Sequence, residues 1–326
     1  MLLAASLGIA QLAGCNATEP QPRIEAQFSD WRFGQKPGRK IETEHYEIYT
    51  TLTDEVLLAT FPELMERTFR YYQQQVPPKF QPEGRMPIYL FESLNEWAYF
   101  TQRFTGPRAP IFLQIRNGGY SERGVTVIQY VSHQTTFPLM AHEGLHQYLY
   151  HYVNPKVPAW LNEGLAVLCE GQRWTGAGLR SFDPAYNPSR QNVLAAAVLR
   201  DELLPLTELL ETNAGRIVGE TSRKVATYYA QVWALVRYLQ EGDDGRYAPA
   251  YREMCAKLSE ADFSTFALRN SNLTGGRVNA GEALFRKFIT DDIETFEQGY
   301  RAFLRQGLLG QEPVSRANAR KNGREL

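Results

Sequence analysis

The stretch His142-Glu143-Gly144-Leu145-His146 restricts the fold of this chain more than any other, because its two histidines act together only on a helix. Residues four apart share one helical face, one turn apart, so both imidazoles can aim at one point. Glu143 lies one residue round, beside that point rather than on it. Neutral imidazoles are metal ligands, and a carboxylate held beside a metal is a base. The H-E-x-x-H pattern therefore reads as two zinc ligands and a general base. A third ligand is needed, and Pro158-Ala159-Trp160-Leu161-Asn162-Glu163-Gly164 offers Glu163 on a following helix. The Asn154-Pro155 break and Pro158 allow that helix to reverse against the first. His142, His146 and Glu163 would then hold Zn²⁺ with the fourth position open, as in catalytic sites; structural zinc usually closes with four protein ligands. The competing readings are a metal that only stabilises the fold, and ordinary core or capping roles for the same side chains. Gly144 adds a hint, since glycine inside a helix costs about 1 kcal/mol relative to alanine. Either another backbone approaches closely there or the cost is simply tolerated.

The surrounding pattern supplies a fold class. Residues 45–52 and 86–93 alternate like strands, and 111–115 and 124–131 read as two more, joined by the glycine-rich Asn117–Gly124. Helical spacing runs through 54–76 and 95–104. After Thr136 the pattern turns helical and stays so, with helices expected near 136–153, 158–170, 190–200, 205–212, 222–241, 245–257, 280–290 and 293–306. Strands mixed with helices, then helices alone, make an α+β fold: a small mixed sheet with the active-site helix, followed by an all-helical C-terminal half. One domain is expected over 43–308, with an α+β half at 43–153, a helical half at 154–308 and a cleft between them. The polar stretch 16–42 reads as a flexible tether, and 309–326 as a disordered tail.

Composition narrows the function classes. With 43% hydrophobic and 22% charged residues the chain is of the soluble globular type, and a net charge of -1 argues against nucleic acid or an anionic membrane as partner. The apolar run at residues 2–14 is short for a bilayer span, which takes about 20 residues. It ends in Leu12-Ala13-Gly14-Cys15, which resembles a bacterial lipobox, although no basic segment precedes it. Residues 1–15 are thus expected to be a lipoprotein-type signal, with a lipid on Cys15 as the only membrane attachment and the protein exported to the cell envelope. Cys169 and Cys255 could pair in an oxidising envelope, but two lone cysteines carry no framework signal, and Cys169, in an apolar helical stretch, reads rather as a buried thiol.

The string HEGLH followed by WLNEG resembles the gluzincin metallopeptidases, whose zinc aminopeptidases share the WLNEG string. The closer resemblance is to peptidase MA-like domains of bacterial envelope proteins, in which a glycine-rich turn and a strand precede an HEGxH helix, as in GGYSERGVTVIQY before HEGLH. It spans roughly residues 85 to 241 and implies a zincin-like fold, Zn²⁺ as cofactor and a peptide or protein substrate. It also implies a tyrosine that hydrogen-bonds the tetrahedral oxyanion. In YYAQVWALVRYL that role falls to Tyr229, with Tyr228 as the neighbour it is confused with; as a plain amphipathic helix both would be core aromatics. The aminopeptidases' upstream Gly-x-Met-Glu-Asn motif is missing here, which speaks against action at free N-termini. Strand 125–131, read as an edge, would suit an extended peptide and an endopeptidase.

The expectation is therefore a zinc endopeptidase with Glu143 as base and Tyr229 as oxyanion donor. The alternatives are an inactive gluzincin scaffold that binds a partner in the envelope, and an amidase on peptidoglycan peptides. Asn162 and Glu170 are the candidates for orienting the imidazoles, and His133 is either a further polar contact or a solvated loop residue. A serine hydrolase is disfavoured, since no Gly-x-Ser-x-Gly elbow occurs.

Overall fold

The computed structural model describes residues 24–309, apart from 116–117, 155, 176–177, 213–216, 218–219, 261, 263–264 and 266–278; for 175, 178–180 and 307–309 it describes the backbone alone. The expected signal at 1–15 with Cys15, the start of the expected tether and the tail from 310 lie outside the described residues.

The fold is mixed α+β, as expected, but the sheet begins earlier than expected. Gln27–Phe33 (β1) and Lys36–Glu42 (β2) pair antiparallel where a tether was expected. The glycine and glutamine that imitate a linker fall in the hairpin turn, where Gly34 takes a positive φ, while Ile41 is fully buried. Tyr46–Thr50 (β3) pairs antiparallel with β2. The chain then crosses through Glu55–Gln75 (α1) and returns as Met86–Phe91 (β4), parallel to β3. Asp54 starts α1 by accepting from the amides of Val56 and Leu57.

Leu94–Thr105 (α2) opens with a capping box between Ser93 and Glu96. Residues 111–115 are not the strand expected of them. Ala109–Phe112 (α3) is a short helix, because prolines at its start and in the preceding turn preset helical φ. The glycine-rich joiner instead forms Gly119–Glu122 (β5), which pairs antiparallel with Val125–Gln129 (β6). β6 runs parallel beside β4, and the strand order is β1-β2-β3-β4-β6-β5. The expected edge strand is therefore interior, and β5 is the edge.

His133–Tyr148 (α4) follows, capped by Ser132, and passes into a π-helical turn at Leu149–Val153. Gln147 fastens α4 to the sheet, donating to the carbonyls of Pro87 and Gly124. Ile48, Ile88, Leu90 and Ile128 pack with Phe61, Leu64 and Met65 of α1 and Met140 and Leu145 of α4 in one buried core. After Ala159–Cys169 (α5) comes a departure from the all-helical expectation, a hairpin of Gln172–Thr175 (β7) and Gly178–Phe182 (β8). Strands of four and five residues are too short for their period to be read against helical neighbours. Pro188–Leu199 (α6), Leu206–Glu211 (α7), Ser222–Glu241 (α8), Ala248–Ala256 (α9), Ala280–Phe288 (α10) and Ile293–Leu309 (α11) complete the described chain. Cys169 and Cys255 are buried free thiols. No helix among the described residues is long and apolar enough to cross a membrane.

Candidate metal centre

Two helices carry the three expected ligands, and glycines set how closely their neighbours approach. On α4, a Cβ at Gly144 would lie 2.5 Å from the Tyr72 hydroxyl and 3.2 Å from Met65 Cε. The neighbour there is thus a side chain of α1, neither the approaching backbone nor the open space that the two readings of Gly144 offered. Tyr72 uses the space to donate to the carbonyl of Ala141 at 2.5 Å. On α5, a Cβ at Gly164 would lie 2.8 Å from the Val232 carbonyl oxygen. That is a true backbone approach, and it draws α8, with Tyr228 and Tyr229, up to Glu163.

His142, His146 and Glu163 converge as the sequence spacing implied. One ligand atom from each lies within 4.8 Å of the other two. Glu163 Oε2 sits 3.3 Å from His142 Nε2 and 3.5 Å from His146 Nε2. It is buried yet makes no well-formed hydrogen bond to either. A buried carboxylate oxygen without a partner is costly. An ion bound by the three atoms removes that cost, and tetrahedral zinc would hold its ligands roughly 3.3 Å apart. The two-nitrogen, one-oxygen donor set also suits zinc. The residues present fit the metal.

The opposite ring nitrogens are held. His142 Nδ1 lies 2.9 Å from Glu170 Oε1, and His146 Nδ1 lies 2.8 Å from Asn162 Oδ1. Both partners accept, which puts the proton on Nδ1 and leaves each Nε2 lone pair facing Glu163. The two candidates that the sequence left unresolved thus each hold one imidazole. His133 does not join them; it is the exposed first residue of α4, edge-on to the Phe137 ring.

Sequence reading missed two residues here. Arg190 donates to both oxygens of Glu170, from Nε at 3.2 Å and Nη2 at 2.9 Å. Asn187 donates to Glu170 Oε2 at 2.8 Å while its own side-chain oxygen caps α6 at the Arg190 amide. The Asn-Pro pair at 187–188 does signal a helix start, but nothing local says that the helix points at Glu170.

The electrostatics separate the two site carboxylates. Burial alone would raise Glu163, but the imidazoles in their protonated form, His146 foremost, hold it well below the usual carboxylate range. Glu143 moves the other way: burial lifts its carboxyl above the ordinary value despite the pull of the same imidazoles. The Ser121 backbone on the edge strand β5 adds a smaller pull in the same downward sense. Tyr229 faces the site, its ring centroid 6.2 Å from that of His142, with the Arg190 guanidinium 5.3 Å from its own. The charge of Glu163, then burial, push its hydroxyl well above the ordinary tyrosine value, so it stays a donor. Tyr228 is turned into the core, its hydroxyl buried without a hydrogen-bond partner.

Glu44, His45 and Glu66 form a second cluster with ligand-like spacing. There Glu66 is already satisfied by the Thr43 hydroxyl, the His45 amide and His45 Nδ1. It needs no ion.

No family model matches the chain, and no curated protein matches it.

Proposed function

We propose that this chain is a zinc-dependent peptidase of zincin-like fold, acting within peptide or protein chains. The observation that carries the reading is the buried, unpartnered Oε2 of Glu163 facing both Nε2 atoms. His142, His146 and Glu163 would hold Zn²⁺, which when bound would supply Lewis acidity toward a carbonyl and a water. The chain's own groups do the rest. Glu143, beside the three ligands, takes the proton of the attacking water and returns it to the leaving amine. Tyr229 donates to the oxygen on which negative charge develops. Asn162 and Glu170 keep the imidazoles in one tautomer and orientation. A base beside the three ligands has no use in an inert scaffold, which favours the enzyme over a pure binding role.

The test is metal content and peptide hydrolysis of the purified protein beside His146→Ala and Glu143→Gln. About one zinc per chain is expected in the wild type, lost in His146→Ala and kept in Glu143→Gln, with hydrolysis abolished in both. Zinc retained at full stoichiometry by His146→Ala would defeat the ligand assignment, and an active Glu143→Gln the mechanism. The envelope location is part of the proposal and rests on Leu12-Ala13-Gly14-Cys15. Labelled fatty acid should be incorporated in a bacterial host and lost in Cys15→Ser.

A further inference from the structure

β1 is an edge of the six-stranded sheet: among the described residues it has β2 on one side and no strand on the other. It runs Gln27-Phe28-Ser29-Asp30-Trp31-Arg32-Phe33, without proline and in unbroken register with β2. An edge strand this long and regular is open to pairing with another chain, and proteins that avoid such pairing shorten, bulge or cover their edges. The opposite edge, β5, has four residues only.

The hairpin fixes which backbone groups β1 offers. Phe33 and Lys36 close a two-residue turn opened by Gly34, so their amide and carbonyl groups face each other. Direction alternates along a strand, so Trp31, Ser29 and Gln27 also point at β2, and Phe28, Asp30 and Arg32 point away from it. An antiparallel neighbour bonds to these outward groups. For a second copy of β1, the two-fold axis must therefore pass through a residue and not between two. An axis at Ser29 sets the Asp30 carboxylate against Phe28. An axis at Asp30 sets that carboxylate against its own copy. An axis at Trp31 sets Asp30 against Arg32 of the second copy, twice, and all four are outward-pointing residues.

The side chains agree with the last register. Asp30 and Arg32 lie exposed on one face of β1. Asp30 pairs with Arg39 yet keeps 87% of its side-chain surface exposed, and Arg32 donates to the neutral carbonyl of Gln35 at 2.7 Å. On the other face Trp31 stacks on Phe33, ring centroids 6.0 Å apart, and leans on Tyr49 at 5.5 Å. Trp31 would meet its own copy across the axis and carry this aromatic row into the second sheet. A contact of this kind closes at two copies, whereas pairing β1 with β5 of a second copy would run on as an open chain.

We propose that two copies of this chain join through β1, antiparallel about a two-fold axis at Trp31, with Asp30 and Arg32 paired across it and the two sheets continuous. The proposal is independent of the peptidase reading. Its test uses the full chain in a mild detergent. Sedimentation equilibrium should give twice the chain mass at about 100 µM, falling toward one chain near about 1 µM, as suits a small interface. Arg32→Glu faces two carboxylates across the axis and should weaken the dimer about ten-fold or more, while Arg32→Lys should keep it. Circular dichroism checks that both are folded. A second arm reads the register. Mild oxidation of Trp31→Cys should give a disulfide-linked dimer, because directly opposed residues there have Cα atoms about 4.5 Å apart. Ser29→Cys, roughly 13 Å from its own copy, should not link. The native Cys169 and Cys255 are buried and do not compete.

A single chain mass at about 100 µM would overturn the proposal and leave the edge to an extended segment of another protein. So would a dimer that Arg32→Glu leaves as tight as wild type, one that Arg32→Lys loosens equally, or linking at Ser29→Cys in preference to Trp31→Cys.

Discussion

Arg190 grips both oxygens of the Glu170 carboxylate, at 3.2 and 2.9 Å, and the gripped carboxylate holds Nδ1 of the candidate ligand His142. A buried carboxylate can be oriented this firmly only if its charge is answered. Arg190→Met should leave Glu170 short of its main counter-charge and let the imidazole turn. Zinc affinity is expected to fall by about 10–100-fold, with the ligands still present. Competition with a chromophoric chelator measures it. Unchanged affinity would mean that Glu170 holds His142 without help.

Gly144→Ala should destabilise the protein although alanine favours the helix by about 1 kcal/mol. The new methyl would collide with the Tyr72 hydroxyl, 2.5 Å from its position, and overpacking of this kind costs about 1–3 kcal/mol. Tyr72→Phe removes the obstacle, so the two changes should be strongly non-additive in urea unfolding. Simple additivity would show that the crowding lies elsewhere.

The two adjacent tyrosines should part company. Tyr229→Phe removes the donor facing His142 and is expected to lower kcat by about 10²–10³-fold with little change in KM. Tyr228→Phe removes a buried hydroxyl that has no partner, and is expected to be neutral or slightly stabilising with kcat unaltered. The reverse pattern in steady-state kinetics would exchange their roles.

Glu66 gives a pH signature away from the candidate metal centre. Burial alone would raise it, but hydrogen bonds from the His45 ring, Thr43 and the His45 amide outweigh burial and lower it from its ordinary value of 4.5. A carboxyl lowered on folding contributes stability that is fully present above its unfolded value and lost as pH falls through the folded one. Wild type should therefore melt above Glu66→Gln at pH 6 to 7, and the gap should close on acidification below 4.5. A gap that does not change with pH would mean that shape, not charge, is lost in the variant.

The sequence by itself picked out the candidate metal ligands and the candidate base. His142, Glu143 and His146 depend only on helical period, and Glu163 only on a reversal marked by prolines, both local properties of the backbone. For the same reason the helix at 222–241 was legible to the residue, through its apolar stripe. The hairpin at 27–42 was not, because its glycine and proline content looks like a linker until Ile41 finds a core to enter. Nor was the edge of the sheet, since β5 covers β6 by a pairing that no residue of β6 announces. Only the tertiary structure decided that Arg190 and Asn187 meet Glu170, and that Tyr229 rather than Tyr228 faces the site. These relations join residues brought together by packing. Their geometry is set by how closely helices approach, as at Gly164 against Val232, and not by a period that repeats along the chain.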